Sequence, residues 1–234
     1  LVEKYVDIDR LLELTKQVAP AALPMSVSHR TYRREPSFTV AIARDPAFNF
    51  MYEANIRYLH HLGEVTYFSP LADTSLPDAG FVYLPGGYPE LYLAALSANR
   101  PMLQSIRRYV ENGGKLLAEC GGMMYLCDEI RDKNGDVFPM VGVLHQSATM
   151  ENMKLRLGYR TLLYNDARLK GHEFHYSRLV EQQDPLPSCA VAYTAKGVET
   201  DTPLYHYKNV WAGYTHLYWA DPAGNDWFTK FIIK

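Results

Sequence analysis

The sequence predicts an α/β fold, with a mostly parallel central sheet, helices on both faces and a later β-rich portion. Between residues 38 and 120, short apolar runs bounded by turn residues alternate with segments of helical periodicity. Such alternation is typical of parallel strands covered by helices. After residue 128 the segments become short and strand-like, and we find no internal repeat.

The pattern places the individual elements in order. Strands are predicted over 38–43, 64–68, 81–84 and 116–118, and helices over 52–62, 90–98 and 101–112. A short helix should follow from residue 123. The later portion predicts strands at 158–163, 173–177, 191–193 and 210–212, and a final helix over 226–233.

Residues 1–36 differ from the rest of the chain. Apolar residues recur there at helical spacing, with Asp7 or Asp9 placed to cap the helix: Ile8, Leu11, Leu12, Leu14 and Val18. The stretch 20–36 is polar and contains prolines, which indicates a linker. Length alone allows one large domain with a tail or two domains. We expect 1–36 to be the tail of a preceding domain with its linker, and 37–234 to be a complete domain.

Composition narrows the function. The net charge of −2 and the lack of long basic runs argue against nucleic acid as a partner. No run approaches the roughly 18 apolar residues of a membrane span, so we expect a cytoplasmic protein. The three cysteines lack metal-ligand spacing and form no evident disulfide framework, which favours a free thiol with a chemical role.

One of these cysteines, Cys120, stands between a strand and a helix in "LLAECGGMMYL". The glycines that follow it allow the sharp turn of a nucleophile elbow. Because the N-terminus of a helix favours a thiolate, we expect the pKa of this thiol to be lowered. The alternative is an inert buried cysteine beside a glycine turn.

A second glycine turn, "LPGGYPE", directly follows the predicted strand 81–84. Sites of parallel sheets lie at the carboxyl ends of strands, so this turn and Cys120 should share one edge. The backbone of Gly86 and Gly87, together with the Gly121 N–H, could form an oxyanion hole. The turn could equally be structural only.

A base is needed to complete such a site. His216 in "GYTHLYW" follows an apolar strand-like stretch that could return to the same edge, while His172 and His175 in "GHEFHYS" are competitors. On a strand, two histidines three residues apart face opposite sides, and this is not the HExxH helix that binds zinc. We therefore expect no metal site.

Together, LPGGYPE, AECGGMMYL, GHEFHYS and GYTHLYW resemble the C-terminal glutamine amidotransferase domain of the cobyrinate a,c-diamide synthase family. The resemblance covers residue 37 to the C-terminus and implies a flavodoxin-like class I glutaminase fold. It implies that Cys120 is the nucleophile, His216 the base, and that Gly86, Gly87 and Gly121 serve the oxyanion and substrate.

The resemblance also implies a larger enzyme, a glutamine-hydrolysing carbon–nitrogen ligase of cobalamin biosynthesis. An N-terminal synthetase domain would use ATP and Mg²⁺ to activate the a and c carboxylates of a corrinoid acceptor, cobyrinate or hydrogenobyrinate. This chain would bind glutamine and supply ammonia, with no cofactor of its own. It contains no GxxxxGK[ST] phosphate-binding loop.

One residue departs from many class I glutaminases, which carry a glutamate two positions after the histidine. In this sequence that position is occupied by Tyr218. The tyrosine agrees with the resemblance, because the corrin-amidating branch of the fold lacks this glutamate. A histidine without a carboxylate partner is less well oriented, so we expect slow glutamine hydrolysis by the isolated chain.

Several alternatives stay open at this stage. The chain could serve a related synthase that amidates cobyric acid or nickel-sirohydrochlorin precursors, or it could be another cysteine-elbow hydrolase of the same fold. A degenerate domain kept only for docking is disfavoured because Cys120, Gly87 and His216 are all present. The resemblance leaves the roles of His172, Glu173 and His175 undefined.

Overall fold

The computed structural model describes residues 2–16, 38–183 and 185–233. The chain divides into two units, Leu1–Tyr32 and Arg33–Lys234. The first contains helices α1 (Val2–Tyr5) and α2 (Ile8–Lys16), and α2 is capped by Asp7, whose carboxylate accepts the Arg10 N–H at 2.9 Å. The N-terminal helix is thus confirmed. Val18 and the linker 20–36 lie outside the described residues, and the domain boundary at 36 stays a prediction.

The strands of the second unit are β1 (Thr39–Ala43), β2 (Glu64–Phe68), β3 (Phe81–Leu84), β4 (Lys115–Glu119), β5 (Glu129–Arg131), β6 (Val137–Pro139), β7 (Ser147–Thr149), β8 (Arg156–Tyr164), β9 (Ala167–His175), β10 (Arg178–Leu179), β11 (Val191–Thr194), β12 (Glu199–Thr200), β13 (Leu204–Tyr207), β14 (Val210–Gly213) and β15 (His216–Tyr218). Its helices are α3 (Glu53–Leu62), α4 (Leu93–Ala98), α5 (Arg100–Glu111), α6 (Gly121–Leu126) and α7 (Pro222–Ile233), with a 3₁₀ turn at Pro89–Leu91.

The central sheet has the strand order β13-β14-β4-β3-β1-β2. All of its neighbours pair in parallel except β13, which is antiparallel to β14 at the edge. The order β2-β1-β3-β4-β14 is that of flavodoxin-like proteins. Every residue of β3 and β14 is buried, as is typical of parallel strands covered on both faces. The predicted α/β fold class is confirmed.

The β-rich portion forms two further sheets, of order β10-β7-β5-β6 and β12-β11-β8-β9-β15. The second of these is antiparallel throughout, and it is built on the long β8–β9 hairpin. Its last strand, β15, follows β14 of the central sheet after two residues. The chain therefore passes from one sheet to the other next to the end of β4.

Several predicted boundaries were wrong. The helix placed over 90–98 begins as a 3₁₀ turn and becomes α-helical only at Leu93. The strand placed over 173–177 is the end of β9, which starts at Ala167 and stops at His175. Sequence analysis missed most of the two- and three-residue strands, because they are too short to show a period of two.

The helices follow from local signals. Helix α5 begins with Asn99 as its cap, and its apolar face is buried: Met102, Leu103, Ile106 and Val110.

Among the described residues, no helix has the length and apolar character needed to cross a membrane.

Candidate active site

Cys120 occupies a strained turn between β4 and α6. Its backbone has φ 48° and ψ −107°, a conformation that residues other than glycine rarely adopt. The next turn of the chain packs so closely on β3 that a Cβ at Gly122 would lie 2.2 Å from the Leu84 carbonyl oxygen. The predicted elbow is therefore present, and it holds a thiol that is 4% exposed.

The two glycine turns meet beside this thiol. A Cβ at Gly121 would lie 3.2 Å from the Gly87 nitrogen and 3.0 Å from its oxygen, so the two backbones are in close contact. Gly87 in turn packs against Ala47, where a Cβ would lie 2.1 Å from the carbonyl oxygen. The Gly121 N–H acts to lower the pKa of the Cys120 thiol, against the effect of burial. The backbones of Gly87 and Gly121 thus meet next to Cys120.

His216, the first residue of β15, lines the same cavity as Cys120. The cavity has a volume of about 270 Å³ and is lined by Phe50, Gly87, Tyr88, Cys120, His172, Phe174 and His216. The carbonyl oxygen of Phe174 lies 3.9 Å from the Cys120 sulfur. The structure therefore brings Cys120, Gly87 and His216 to one site.

Gly86 has a place different from the one expected. It does not line the cavity, and a Cβ there would lie 2.2 Å from Cε1 and 2.8 Å from Nδ1 of His216. Its carbonyl accepts the Phe50 N–H at 3.0 Å. Gly86 therefore provides the space that the imidazole of His216 occupies.

The ring of His216 is held by packing on its neighbours. It contacts the ring of Phe50 at a centroid distance of 4.5 Å and stacks on His172 at 4.9 Å. Its Nδ1 atom is buried and has no hydrogen-bond partner in the described part of the chain. Burial, with the nearby His172 and His175, lowers the pKa of His216 to about 3, so the imidazole is neutral at pH 7.

The expectation of a lowered thiol pKa is wrong. Burial raises the pKa of Cys120 to about 12, and the carboxylate of Glu90 adds to the rise. The Gly121 N–H acts in the opposite direction, but its effect is smaller than the effect of burial. The resting site therefore contains a thiol beside a neutral imidazole, not an ion pair.

Tyr218, at the position where many class I glutaminases carry a glutamate, does not replace that residue. Its ring is 38% exposed and meets the edge of Tyr52 at a centroid distance of 5.5 Å. A different group, Glu119, connects the strands of the nucleophile and the base. One of its carboxylate oxygens accepts the Leu217 N–H at 3.1 Å, and the other accepts the Tyr83 hydroxyl at 2.6 Å.

A second buried side chain, Asn55, holds β15 from α3. Its side-chain nitrogen donates to the Leu217 carbonyl at 2.8 Å, and its side-chain oxygen accepts the backbone N–H of Trp219 at 3.0 Å. Glu119 and Asn55 thus fix the backbone on which His216 stands. Sequence analysis missed both residues, although a glutamate that ends an apolar strand was a visible signal for Glu119.

Strand β9 has two faces, and the face opposite to His172 carries a buried polar cluster. Glu173 pairs with Arg160 at 2.5 Å, and both side chains are at least nine-tenths buried. His175 stacks on Tyr214 at a centroid distance of 3.8 Å, and its Nδ1 atom bonds the Ser177 carbonyl at 2.9 Å. Within residues 2–16, 38–183 and 185–233, no group of three or more His, Cys, Asp or Glu side chains is placed to hold a metal ion.

The fold is that of class I glutamine amidotransferases, with a cysteine elbow at the end of β4. PurLQS from Thermotoga maritima superposes with a TM-score of 0.55 over 84% of this chain and 95% of that chain, at 17% identity. A solved structure described as a glutamine amidotransferase superposes with a TM-score of 0.53 over 83% of this chain and 99% of the other, also at 17% identity. At this identity the likeness establishes the fold.

The sequence comparisons establish the family. Residues 39–224 match the CobB/CobQ-like glutamine amidotransferase domain, and the chain belongs to this family. It is 37% identical to hydrogenobyrinate a,c-diamide synthase of Stutzerimonas stutzeri, in an alignment that covers 92% of this chain and 52% of that protein. It is also 37% identical to cobyrinate a,c-diamide synthase of Dehalococcoides mccartyi, in an alignment that covers 94% of this chain and 50% of the relative. The chain thus spans about half the length of these relatives, and the resemblance found in the sequence is confirmed.

Proposed function

We propose that this chain hydrolyses glutamine and supplies the ammonia for amidation of the a and c carboxylates of cobyrinate or hydrogenobyrinate. The observation that supports it best is the cavity that brings Cys120, His216 and the Gly87 backbone together. Membership of the amidotransferase family and the names of the relatives support the substrate and the acceptor.

The proposed reaction starts with attack of the Cys120 sulfur on the carboxamide carbon of glutamine. The thiol proton passes to His216, while the N–H groups of Gly87 and Gly121 stabilise the oxyanion. The tetrahedral intermediate breaks its carbon–nitrogen bond, and His216 returns the proton to the leaving nitrogen, which departs as ammonia. Water then attacks the γ-glutamyl thioester with His216 as base and releases glutamate.

The electrostatics support slow turnover by the isolated chain. Burial favours the neutral thiol of Cys120 and the neutral ring of His216, so a thiolate–imidazolium pair is disfavoured before substrate binds. We therefore propose that a synthetase domain activates this site by changing its surroundings. That domain would use ATP and Mg²⁺, and it would act on the corrinoid acceptor in the cytoplasm.

The test compares glutamate release by this chain alone with glutamate release by a full-length protein in which the chain is joined to its synthetase domain. The full-length protein is supplied with ATP, Mg²⁺ and either cobyrinate or hydrogenobyrinate, and Cys120→Ala is the control. We expect faster release in the complete reaction and formation of the diamide. Equal rates would contradict control by the synthetase, and release by Cys120→Ala would contradict the proposed nucleophile.

A further inference from the structure

The mechanism above leaves one imidazole of the cavity without a role. His172 lies directly opposite His216 in the antiparallel pair of β9 and β15, and both side chains line the cavity of Cys120. The two rings stack with centroids 4.9 Å apart and an angle of 24° between their planes. His172 therefore faces the substrate space beside the base.

A hydrogen bond joins Tyr52 to the ring of His172. The Tyr52 hydroxyl lies 2.5 Å from Nδ1 of His172. Burial raises the pKa of Tyr52 to about 12, so its hydroxyl keeps a proton that it can donate to Nδ1 of the His172 tautomer protonated on Nε2. Burial also lowers the pKa of His172, which keeps the ring neutral at pH 7. A neutral imidazole that accepts at Nδ1 carries its hydrogen on Nε2.

His172 is thus a fixed hydrogen-bond donor and not a second base. The residues that line the cavity in the described part of the chain include no lysine or arginine. A carboxylate bound in the cavity must therefore be recognised by neutral donors. Phe50 contacts the rings of both His172 and His216, at centroid distances of 5.4 and 4.5 Å, and gives the cavity an apolar wall beside them.

We propose that the Nε2–H of His172, held by Tyr52, binds the α-carboxylate of glutamine and selects amino acid amides over simple amides. This inference rests on the proposed glutaminase function. Three carbon–carbon bonds of about 1.5 Å place the α-carbon of extended glutamine about 4 Å from its carboxamide carbon. That distance is close to the 4.9 Å between the two imidazole rings. With the carboxamide at Cys120 and His216, the α-carboxylate reaches the level of His172.

The test crosses two variants with two substrates. His172→Phe keeps a flat ring but removes the donor, and Tyr52→Phe keeps the ring that neighbours His172 but frees its tautomer. L-glutamine is compared with 4-aminobutanamide, which is glutamine without its α-carboxylate. We expect His172→Phe to lower kcat/KM for L-glutamine about 10- to 100-fold, mainly through KM, and Tyr52→Phe to cause a smaller loss in the same direction. In both variants the loss of kcat/KM for 4-aminobutanamide should be clearly smaller than the loss for L-glutamine, by about tenfold or more in His172→Phe, because the simple amide has no carboxylate to lose the donor.

Binding is measured separately from turnover, as protection of Cys120 from iodoacetamide by each amide. Protection by L-glutamine should weaken about 10- to 100-fold in His172→Phe, whereas protection by 4-aminobutanamide should not change. His175→Phe, on the opposite face of β9, is the matched control and should leave the ratio between the two amides unchanged. Equal losses for both amides in His172→Phe would overturn the assignment. A wild-type chain that releases no glutamate would contradict the proposed function, while the protection ratio would still test the subsite.

Discussion

The two faces of β9 carry similar residues in different surroundings. On one face, His172 meets the cavity of Cys120, and the neighbouring His216 has a buried Nδ1 atom without a partner. On the other face, Glu173 pairs with Arg160, and His175 stacks on Tyr214. The first face is only partly buried and opens on a space beside a thiol that a small molecule can enter, whereas Glu173 and His175 on the second face are buried.

This difference indicates that the first face serves the reaction and that the second face serves stability. An imidazole that must accept a proton needs a free nitrogen, and an unpaired buried group costs stability. A buried carboxylate needs a cation beside it, because an isolated buried charge is costly. The alternation of side chains along β9 places His172 in the cavity beside His216 of β15, and it places Glu173 with Arg160 on the buried face.

The largest expected effect is the difference in turnover between a variant of His216, which lines the cavity, and a variant of His175, which lies on the buried face of β9. His216→Asn removes the base next to Cys120 and should lower turnover about 10²- to 10⁴-fold. His175→Asn removes a ring that stacks on Tyr214 and should lower turnover of the folded protein less than about tenfold. Glutamate release, corrected for the folded fraction by circular dichroism, checks both. Comparable losses would mean that the two faces do not differ in this way.

The next effect concerns the space reserved for the base. A Cβ at Gly86 would lie 2.2 Å from the His216 ring, so Gly86→Ala should displace the imidazole and lower turnover about 10²-fold. Gly80→Ala is the matched control, because the nearest atom to its Cβ would be the Thr39 oxygen at 3.6 Å. Kinetics of both variants in the same buffer make the comparison. If Gly86→Ala turned over as fast as Gly80→Ala, packing would not position His216.

A third prediction concerns the contribution of the buried face of β9 to stability. Glu173→Gln removes the partner of the buried Arg160 and should lower the free energy of unfolding by about 3 kcal/mol. Turnover of the folded protein should change less than about threefold, because Glu173 does not line the cavity. Urea denaturation measures the first quantity. A loss of activity without a loss of stability would place Glu173 in the chemistry.

The last prediction concerns the pH dependence of thiol labelling. Because burial raises the pKa of Cys120, its thiolate fraction should rise about tenfold per pH unit between pH 6 and 9 without a plateau. The pKa of His216 is lowered to about 3, so its ring stays neutral over this range and adds no step. Iodoacetamide labelling of Cys120, followed by peptide mapping, gives the profile. A plateau beginning near pH 7 would show that the thiolate is already stabilised.

Much of the fold could be predicted from the sequence because its central strands are apolar, bounded by turn residues and separated by helices. The runs before Gly86 and before Cys120 end at glycine turns, and both are strands of the parallel sheet. The second and third sheets could not be assembled in this way. Apart from hairpins such as β8–β9, their pairings join segments far apart in the chain, such as His216 with His172, and no local pattern encodes such a partner.

The members of the candidate site could be named from motifs, but their electrostatics could not. The elbow glycines and the late histidine were visible, whereas the burial that raises the pKa of Cys120 depends on the packed cavity. For the same reason Asn55 was missed, since its contacts with β15 come from residues more than 150 positions away.

The most direct test of the account is to trap the γ-glutamyl intermediate. The chain is incubated with L-glutamine, quenched in acid and digested, and the acylated peptide is identified by mass spectrometry. Hydroxylamine added before the quench should convert the thioester into γ-glutamyl hydroxamate. The account predicts acylation of Cys120 and its absence in Cys120→Ala. Acylation of Cys127 or Cys189, or glutamate release by Cys120→Ala, would contradict it.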